Sequence, residues 1–126
     1  MIGRRAPLKR TPLKRVPFKR RPRRFTAEQR LAHKEYVLAR LRAWERDGGE
    51  CQVPVLVARQ RAAGVNLFPA WLLTPCSGRI DPHHVWPQQR YPERRADVDV
   101  LLCLCRQHHE SVHAHPAVSR QYGLLK

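Results

Sequence analysis

The chain has 126 residues, with 25 lysines and arginines against 10 acidic residues and a formal net charge of +15. Its length allows one domain and a tail, its apolar stretches fall short of the ~20 residues of a membrane-spanning helix, and no apolar signal-peptide core follows the N-terminal charges. We therefore expect a cytoplasmic protein with a polyanionic partner, nucleic acid and not a membrane. Its four cysteines are expected to be metal ligands and not disulfides.

Residues 1–25 form a basic arm that holds 11 of the 25 basic residues and no acidic one. A five-residue repeat with a proline in each copy runs through residues 6–20. Recurring prolines and few apolar side chains predict that the arm is disordered. Its charge density favours phosphate contacts, although a solubility tail or a partner-docking segment has the same composition. The residues expected to contact nucleic acid are Lys9, Arg10, Lys14, Arg15, Lys19 and Arg20.

An amphipathic helix is predicted over residues 27–46. Thr26 and Gln29 have the spacing of a capping box at its start, and the Asp-Gly-Gly sequence at 47–49 ends the apolar run. Large apolar residues recur between these limits at helical spacing. We expect this stripe to supply core residues, namely Leu31, Val37, Leu38, Leu41 and Trp44.

The remainder of the chain is rich in turns and has shorter patterns. The elements predicted there are a helical turn at 59–63, an apolar segment at 68–73 that covers a hydrophobic face, a strand at 80–85 and a helix at 106–115. Pro116 helps to end the last of these. Together with the first helix, they predict a small α+β domain over residues 26–126.

Cys105 and His108 form a C-x-x-H motif. A tight turn of this length brings a thiolate and an imidazole to one tetrahedral metal ion. Cys51 and Cys76 are available to complete a Cys3His set, which is typical of structural Zn²⁺. In the alternative interpretation they are buried thiols without a metal. Cys103 alternates with Cys105 along a strand, so we expect it to face away from the site.

Six of the seven histidines fall between positions 83 and 115. His109 and His113 are about one helical turn apart, so their imidazoles share a helix face with a spacing that chelates a divalent cation. His83 and His84 are adjacent at the end of the predicted strand, so their rings point in different directions. One is expected to ligate the metal and the other to act on a water molecule.

Three segments resemble the motifs of HNH endonucleases, in the order that the family has them. Residues 46–53 (RDGGECQV) are similar to the run that precedes a zinc cysteine, and residues 81–87 (DPHHVWP) to the H-H-[IV]-x-P hairpin. Residues 104–113 (LCRQHHESVH) are similar to the L-C-x-x-C-H-x-x-x-H segment. The basic leader also resembles the leaders of small phage-encoded HNH proteins.

The chain departs from the family pattern at two zinc positions. His108 stands in place of the second cysteine of the last motif, and Pro54 stands where the second cysteine of the first pair is usual. The resemblance therefore implies that Cys76 replaces that ligand, with residues 54–75 as an insertion. The structural Zn²⁺ set is then Cys51, Cys76, Cys105 and His108.

The resemblance implies a ββα-metal unit within residues 51–115, with the first helix packed over it, and the activity of a metal-dependent DNA endonuclease. His84 is the expected general base on a water molecule. The family's middle Asn is absent, and Asp99, in preference to Asp97, is expected to orient His84. The catalytic cation is expected to be Mg²⁺ or Mn²⁺, and its ligands are His83, His109 and His113, with Asp81 as an additional candidate.

Two other functions fit the same residues. A zinc-stabilised nucleic-acid-binding protein without catalysis also combines a basic arm with a C-x-x-H motif, but a structural zinc site needs only four ligands and this chain has more candidates than that. A phage accessory factor would use the nuclease unit in a complex with phage, recombination or packaging proteins.

Overall fold

The computed structural model describes residues 24–126, and that range contains four helices and one two-stranded antiparallel sheet. The helices are α1 (Ala27–Arg46), α2 (Val53–Ala62), α3 (Arg106–Ala114) and α4 (Pro116–Gln121), and the strands are β1 (Ile80–His84) and β2 (Leu101–Cys105). The small α+β class predicted from the sequence is confirmed. Within residues 24–126 no helix combines the length and the apolar character needed to cross a membrane.

The predictions for the basic arm fall almost entirely outside the described residues. The arm is predicted over residues 1–25, of which the structure describes only the last two. The six residues expected to contact nucleic acid all lie before residue 24, namely Lys9, Arg10, Lys14, Arg15, Lys19 and Arg20. Their role therefore stays a prediction.

β1 and β2 pair in a register that sets His84 opposite Leu101, and residues 85–100 connect the two strands. β2 (LLCLC) is buried along most of its length, which is typical of a strand covered on both faces. Pro82 lies inside β1, opposite Cys103. It is tolerated there because β1 is an edge strand, where a missing N–H removes little pairing.

α1 begins and ends where the sequence predicts. The Gln29 N–H donates to the Thr26 hydroxyl at 3.1 Å, and the Thr26 N–H donates to the Gln29 side chain at 3.0 Å. Both halves of the capping box are therefore formed. The two exchanged bonds satisfy N–H groups that have no partner inside the helix.

The prediction that the large apolar stripe of α1 supplies the core is wrong. Ala39 and Ala43 are the buried residues of this helix, and they form a cluster with Leu101 of β2. Small side chains allow the helix to lie close to the hairpin, where bulkier ones would hold it away. The stripe points to the opposite side, and its exposed members are Leu31, Val37, Leu38, Leu41 and Trp44.

The main hydrophobic core lies between α2, β2, α3 and the C-terminal residues. α2 spans ten residues, whereas the sequence predicts only a turn at 59–63. Pro54 lies in its first turn, where a missing N–H removes no helical hydrogen bond. The segment 68–73 covers this core as predicted. Leu124 and Leu125 are buried against the same core, and the sequence pattern did not single them out.

Arg46 and Asp47 attach the end of α1 to β2. Arg46 donates to the Leu101 carbonyl at 2.6 Å, and the Cys103 N–H donates to Asp47 Oδ2 at 3.0 Å. Arg46 also donates to both carboxylate oxygens of Asp47, at 2.8 and 2.9 Å. Burial raises the pKa of Asp47, but the hydrogen bonds from Arg46 and Cys103 outweigh it and hold this pKa below its ordinary value. Asp47 is therefore ionised and fully engaged at neutral pH.

Candidate functional site

A cluster of three cysteines and one histidine lies where β2 meets α3. The sulfur atoms of Cys51, Cys76 and Cys105 lie 3.5, 3.7 and 3.1 Å from Nδ1 of His108. All four ligand atoms lie within 4.8 Å of one another. Three sulfurs and one imidazole nitrogen at this spacing match the donor set of a tetrahedral structural zinc site. The cluster can hold a metal ion such as zinc.

Local structure explains how these residues converge. Cys105 is the N-cap of α3, and its sulfur accepts the backbone N–H of His108 at 3.4 Å. Cys51 lies just before α2, so residues 52–75, which include that helix and the predicted insertion at 54–75, separate Cys51 from Cys76. The sequence interpretation of this segment as an insertion between two ligands agrees with that placement.

The ring of His108 is oriented by Thr74. The Thr74 hydroxyl donates to the Trp71 carbonyl at 2.7 Å, so its oxygen is free to accept a hydrogen bond from the Nε2–H of His108, 3.4 Å away. A proton on Nε2 leaves the lone pair of Nδ1 directed at the three sulfurs. This arrangement of an outer hydrogen bond that sets the tautomer is usual for metal-binding histidines.

The thiols differ in their tendency to ionise. Burial raises the pKa of Cys51 to about 12 and also raises the pKa of Cys76. Burial opposes ionisation of Cys105 as well, but N–H groups of His108 and Ser77 outweigh it and lower the pKa of Cys105. Burial thus favours the thiol form of Cys51 and Cys76 unless a cation replaces their protons, and metal binding is coupled to proton release and to folding.

Cys103 is buried and lies outside this cluster. It alternates with Cys105 on β2, and its neighbours include the Asp47 carboxylate. Burial is the main cause that raises the pKa of Cys103 to about 11. The expectation that Cys103 faces away from the metal site agrees with this position.

A second cluster consists of His83, His109 and His113, whose ligand atoms also lie within 4.8 Å of one another. Nε2 of His109 and Nε2 of His113 are 3.2 Å apart on one face of α3. The ring of His83 approaches both from β1, with centroid distances of 5.0 and 5.3 Å. Nε2 of His83 donates to the Leu124 carbonyl at 2.9 Å, so its Nδ1 carries the lone pair that a cation can accept.

Burial favours the neutral form of two of these imidazoles. Burial lowers the pKa of His83 to about 4, and it also lowers the pKa of His109, with the charge of His113 as the next cause. Neutral imidazole is the form that binds metals. A set of three imidazole nitrogens suits transition metals such as Mn²⁺, Co²⁺, Ni²⁺ or Zn²⁺, whereas Mg²⁺ prefers oxygen ligands. The donor set therefore fits a cation, but it does not favour Mg²⁺.

His84 lies beside this cluster with both ring nitrogens engaged. Nε2 donates to the Arg95 carbonyl at 3.0 Å, and the Gln88 amide donates to Nδ1 at 2.8 Å. The ring stacks on Tyr36 of α1, with centroids 5.5 Å apart. Burial lowers the pKa of His84, and the Arg95 and Arg40 charges add to this effect against the opposing hydrogen bond to the Arg95 carbonyl. His84 is a neutral base with a fixed tautomer.

An open groove of about 660 Å³ joins the histidines to solvent. It contains His84 and all three members of the second cluster. The remaining wall is formed by Tyr36, Pro82, Pro87, Gln88, Gln89 and Leu125. His84 and the three histidines of the second cluster therefore face one space that is open to solvent.

The prediction that Asp99 orients His84 is wrong. Both ring nitrogens of His84 have other partners, and Asp99 lines a separate cavity with Arg46 and Lys126. Asp97 has the more relevant position, because its Oδ1 accepts the Asp99 N–H at 3.0 Å.

Asp97 also accepts from Arg94 at 3.0 Å, and its own N–H donates to the Arg94 carbonyl at 3.1 Å. Asp97 therefore stabilises the loop that presents the Arg95 carbonyl to His84.

Asp81 is not part of the histidine cluster. Its carboxylate accepts from Arg79 at 2.8 Å and lies 4.0 Å from Arg40. The functional residues that sequence reasoning missed are Tyr36, Gln88 and the carbonyl of Arg95. Gln88 follows His84 by four residues, but no local pattern marks a backbone carbonyl 11 residues away.

The structure thus brings together both predicted ligand sets and separates Asp99 from them. Comparisons with models of protein families, with curated proteins and with solved structures each found no match. The functional argument therefore depends on the geometry of the two clusters and on the chemistry of their residues.

Proposed function

We propose that this chain is a metal-dependent DNA endonuclease of the HNH type, with β1, β2 and α3 as its ββα-metal unit. In this proposal the cysteine cluster is the structural zinc site and the histidine groove is the active site. The proposal covers the reaction class, which is hydrolysis of a phosphodiester bond.

The observation that carries the proposal is the position of His84 beside His83, His109 and His113 in one open groove. The Arg95 carbonyl holds the proton of His84 on Nε2, so Nδ1 is the basic atom. The Gln88 amide lies 2.8 Å from Nδ1 and marks a position that a water molecule can take. His84 would accept a proton from that water as it attacks phosphorus and the bond to the leaving oxygen breaks.

His83, His109 and His113 would hold a divalent cation next to this water. The chemistry that a cation supplies when held there is stabilisation of the charge that develops on the scissile phosphate and the leaving 3′ oxygen. Burial lowers the pKa of His83 to about 4, which keeps the lone pair of its Nδ1 available to a cation. By the argument from donor type, Mn²⁺, Co²⁺ or Ni²⁺ would support the reaction better than Mg²⁺.

Positive charge around the groove favours a nucleic-acid substrate. Arg95 stacks over the Tyr36 ring at 4.4 Å, next to His84, and Arg40 lies 5.6 Å from the same ring. With a formal net charge of +15 over the chain, phosphates would be attracted to this side and to the basic arm. DNA is the substrate that the HNH resemblance implies.

Incubation of purified protein with supercoiled plasmid tests the proposal, with Mn²⁺, Ni²⁺, Mg²⁺ or EDTA in parallel. We expect nicked or linear product with a divalent cation and none with EDTA. His84→Ala is expected to lower the cleavage rate by about 10²–10⁴-fold, the usual contribution of a positioned base, with unchanged zinc content and DNA affinity.

His33→Ala is the matched control, because His33 is an exposed histidine on α1 and its loss should leave cleavage unchanged. Equal rates for the wild type and His84→Ala would overturn the role of His84. A wild type that binds DNA but cuts it with none of these cations would favour the binding protein without catalysis.

A further inference from the structure

α1 presents an apolar stripe that no other part of residues 24–126 covers. Its members and their exposed fractions are Leu31 (59%), Val37 (40%), Leu38 (51%), Leu41 (56%) and Trp44 (41%). They occupy the side of the helix opposite Ala39 and Ala43, which contact the hairpin. Contiguous exposed apolar residues of this kind mark an interaction surface.

The stripe borders a groove of about 230 Å³ between α1 and β1. Trp44 on its rim is held by Gly49, which has a φ of +68°, and a Cβ there would lie 2.8 Å from the indole ring. The other apolar walls of the groove are Val37, Leu41, Ile80 and Pro82. A bulky apolar side chain from a partner can therefore enter beside Val37.

Four exposed charged residues lie within the stripe or at its edge, namely Lys34, Glu35, Arg42 and Glu45. None of them takes part in an ion pair within residues 24–126. Glu35 and Arg42 follow the stripe on one edge, seven residues apart, which is two helical turns. Lys34 and Glu45 lie within the stripe, toward its two ends.

We propose that α1 is a dimerisation helix that packs antiparallel against α1 of a second copy of this chain. In the proposed register Leu38 of one copy lies level with Leu41 of the other, and the two-fold axis repeats this contact. Val37 and Trp44 of opposite copies then lie within about 3 Å of each other along the helix axis. Trp44 is thereby placed next to the groove beside Val37.

The same antiparallel register places opposite charges of the two copies close together. Lys34 lies level with Glu45 of the second copy, and Glu35 lies within about 3 Å of Arg42 along the axis. The two-fold axis generates each pair twice, so one register produces four contacts between opposite charges. This self-complementarity is the observation that identifies a second copy as the partner.

A parallel arrangement of the two helices is disfavoured by the same residues. It would set Lys34 against Lys34 and Glu45 against Glu45, and like charges across such an interface are destabilising. Only the antiparallel pairing combines the apolar contacts with opposite charges. The inference depends on the surface of α1 and not on the histidine groove, so it stands or falls independently of the nuclease proposal.

The first test is sedimentation equilibrium of the full chain, freed of nucleic acid. It is measured at about 0.15 M salt, because ion pairs in contact keep part of their attraction at this ionic strength. We expect a mass that rises with concentration toward twice the 14.8 kDa of one chain. Glu35→Arg and Arg42→Glu should each weaken self-association by about tenfold or more, because each sets like charges opposite each other. A mixture of the two variants should form a heterodimer, since their charges are then complementary.

Leu38→Ser combined with Leu41→Ser should abolish the dimer while circular dichroism and zinc content stay unchanged, since both positions are exposed. Arg120→Ala, at an exposed residue of α4 outside the proposed interface, is the control and should dimerise as the wild type does. The inference would be overturned by a wild type that is monomeric at every concentration, and this includes the case in which residues 1–23 cover the stripe. It would also be overturned if neither the charge variants nor the leucine variant changed the dimer affinity.

Discussion

The two clusters meet at α3, where His108 and His109 are adjacent, yet they differ in the number, the type and the burial of their ligands. His108 is fully buried and belongs to a set of four ligands, whereas His109 is half-buried and His113 is exposed in a set of three. Cys51 and Cys105 of the first set belong to the hydrophobic core and only Cys76 is exposed, whereas the second set faces an open groove. A helix that lies on a core thus provides a closed site on one face and an open site on another.

This difference suits the first cluster to stabilising the fold and the second cluster to binding a reactant. A complete tetrahedral set leaves no position for a substrate and contributes to folding, whereas three ligands leave positions open for water and phosphate. The closed site includes thiols that burial keeps from ionising, Cys51 most of all. The open site contains imidazoles that burial keeps neutral. The predictions below test whether the two clusters are independent.

The largest effect is expected at the closed site. Cys105→Ser should release zinc and unfold the protein, because the binding free energy of a structural zinc, about 10–16 kcal/mol, is largely folding free energy. Elemental analysis and circular dichroism measure the two losses. Cys103→Ser is the matched control on the same strand and should retain zinc. A folded, reduced wild type without zinc would contradict the closed-site assignment.

Loss of one ligand from the open site should leave the fold intact. His109→Ala is expected to weaken binding of Ni²⁺ or Co²⁺ at this site by about 100-fold or more, since removing even an outer partner of a ligand costs 10–100-fold. Titration calorimetry on protein with its structural site filled checks this, and cleavage should recover in part at higher Mn²⁺. His115→Ala, just beyond α3 and outside both clusters, should bind as the wild type does.

Asp47 is expected to support the region around Cys51 without touching either metal set. Asp47→Asn should lower the free energy of unfolding by about 2 kcal/mol at pH 7, since it weakens charged hydrogen bonds to Arg46 and to the Cys103 N–H. The pKa of Asp47 is lowered in the folded state, so its contribution is complete above the unfolded pKa and is lost as the pH falls through the folded one.

The difference between Asp47→Asn and the wild type should therefore stay constant from about pH 6 to 8, where Asp47 is ionised in both the folded and the unfolded state. Urea unfolding at several pH values measures it. A difference that changes within this range would show that another group is responsible.

The smallest effect is expected at the loop that supports His84. Asp97→Ala should lower kcat by about tenfold, at the low end for an outer-shell residue, with little change in KM. Asp97 acts through the Arg95 carbonyl and touches neither DNA nor His84. Asp97→Asn should restore most of the rate, because an amide oxygen still accepts the Asp99 N–H. Asp99→Ala is the matched control, and a larger loss there than in Asp97→Ala would reverse the assignment.

Several features follow from short-range sequence rules. Thr26 and Gln29 determine the start of α1 because the capping box involves residues three positions apart. The C-x-x-H turn and the His109–His113 pair depend on spacings within one helical turn, and both have the predicted geometry. Such signals can be read from sequence because the interacting atoms belong to neighbouring residues.

The tertiary structure alone decided the features that depend on distant partners. The family resemblance named Cys76 as a ligand, but Cys76 lies 32 residues from His108, and only the fold of the intervening segments brings its sulfur within 3.7 Å of Nδ1. The partners of His84 are a backbone carbonyl and a loop glutamine, and neither aspartate that sequence reasoning favoured contacts it.

The outward orientation of the apolar stripe of α1 is also a feature that only the tertiary structure decided. Hydrophobic periodicity identifies a helix face, but it does not say which face is buried. The helix buries the small Ala39 and Ala43 and leaves the large Leu38 and Leu41 exposed. Small side chains allow the helix to approach the hairpin closely, and close packing depends on the shape of the side chains as well as on their apolar area.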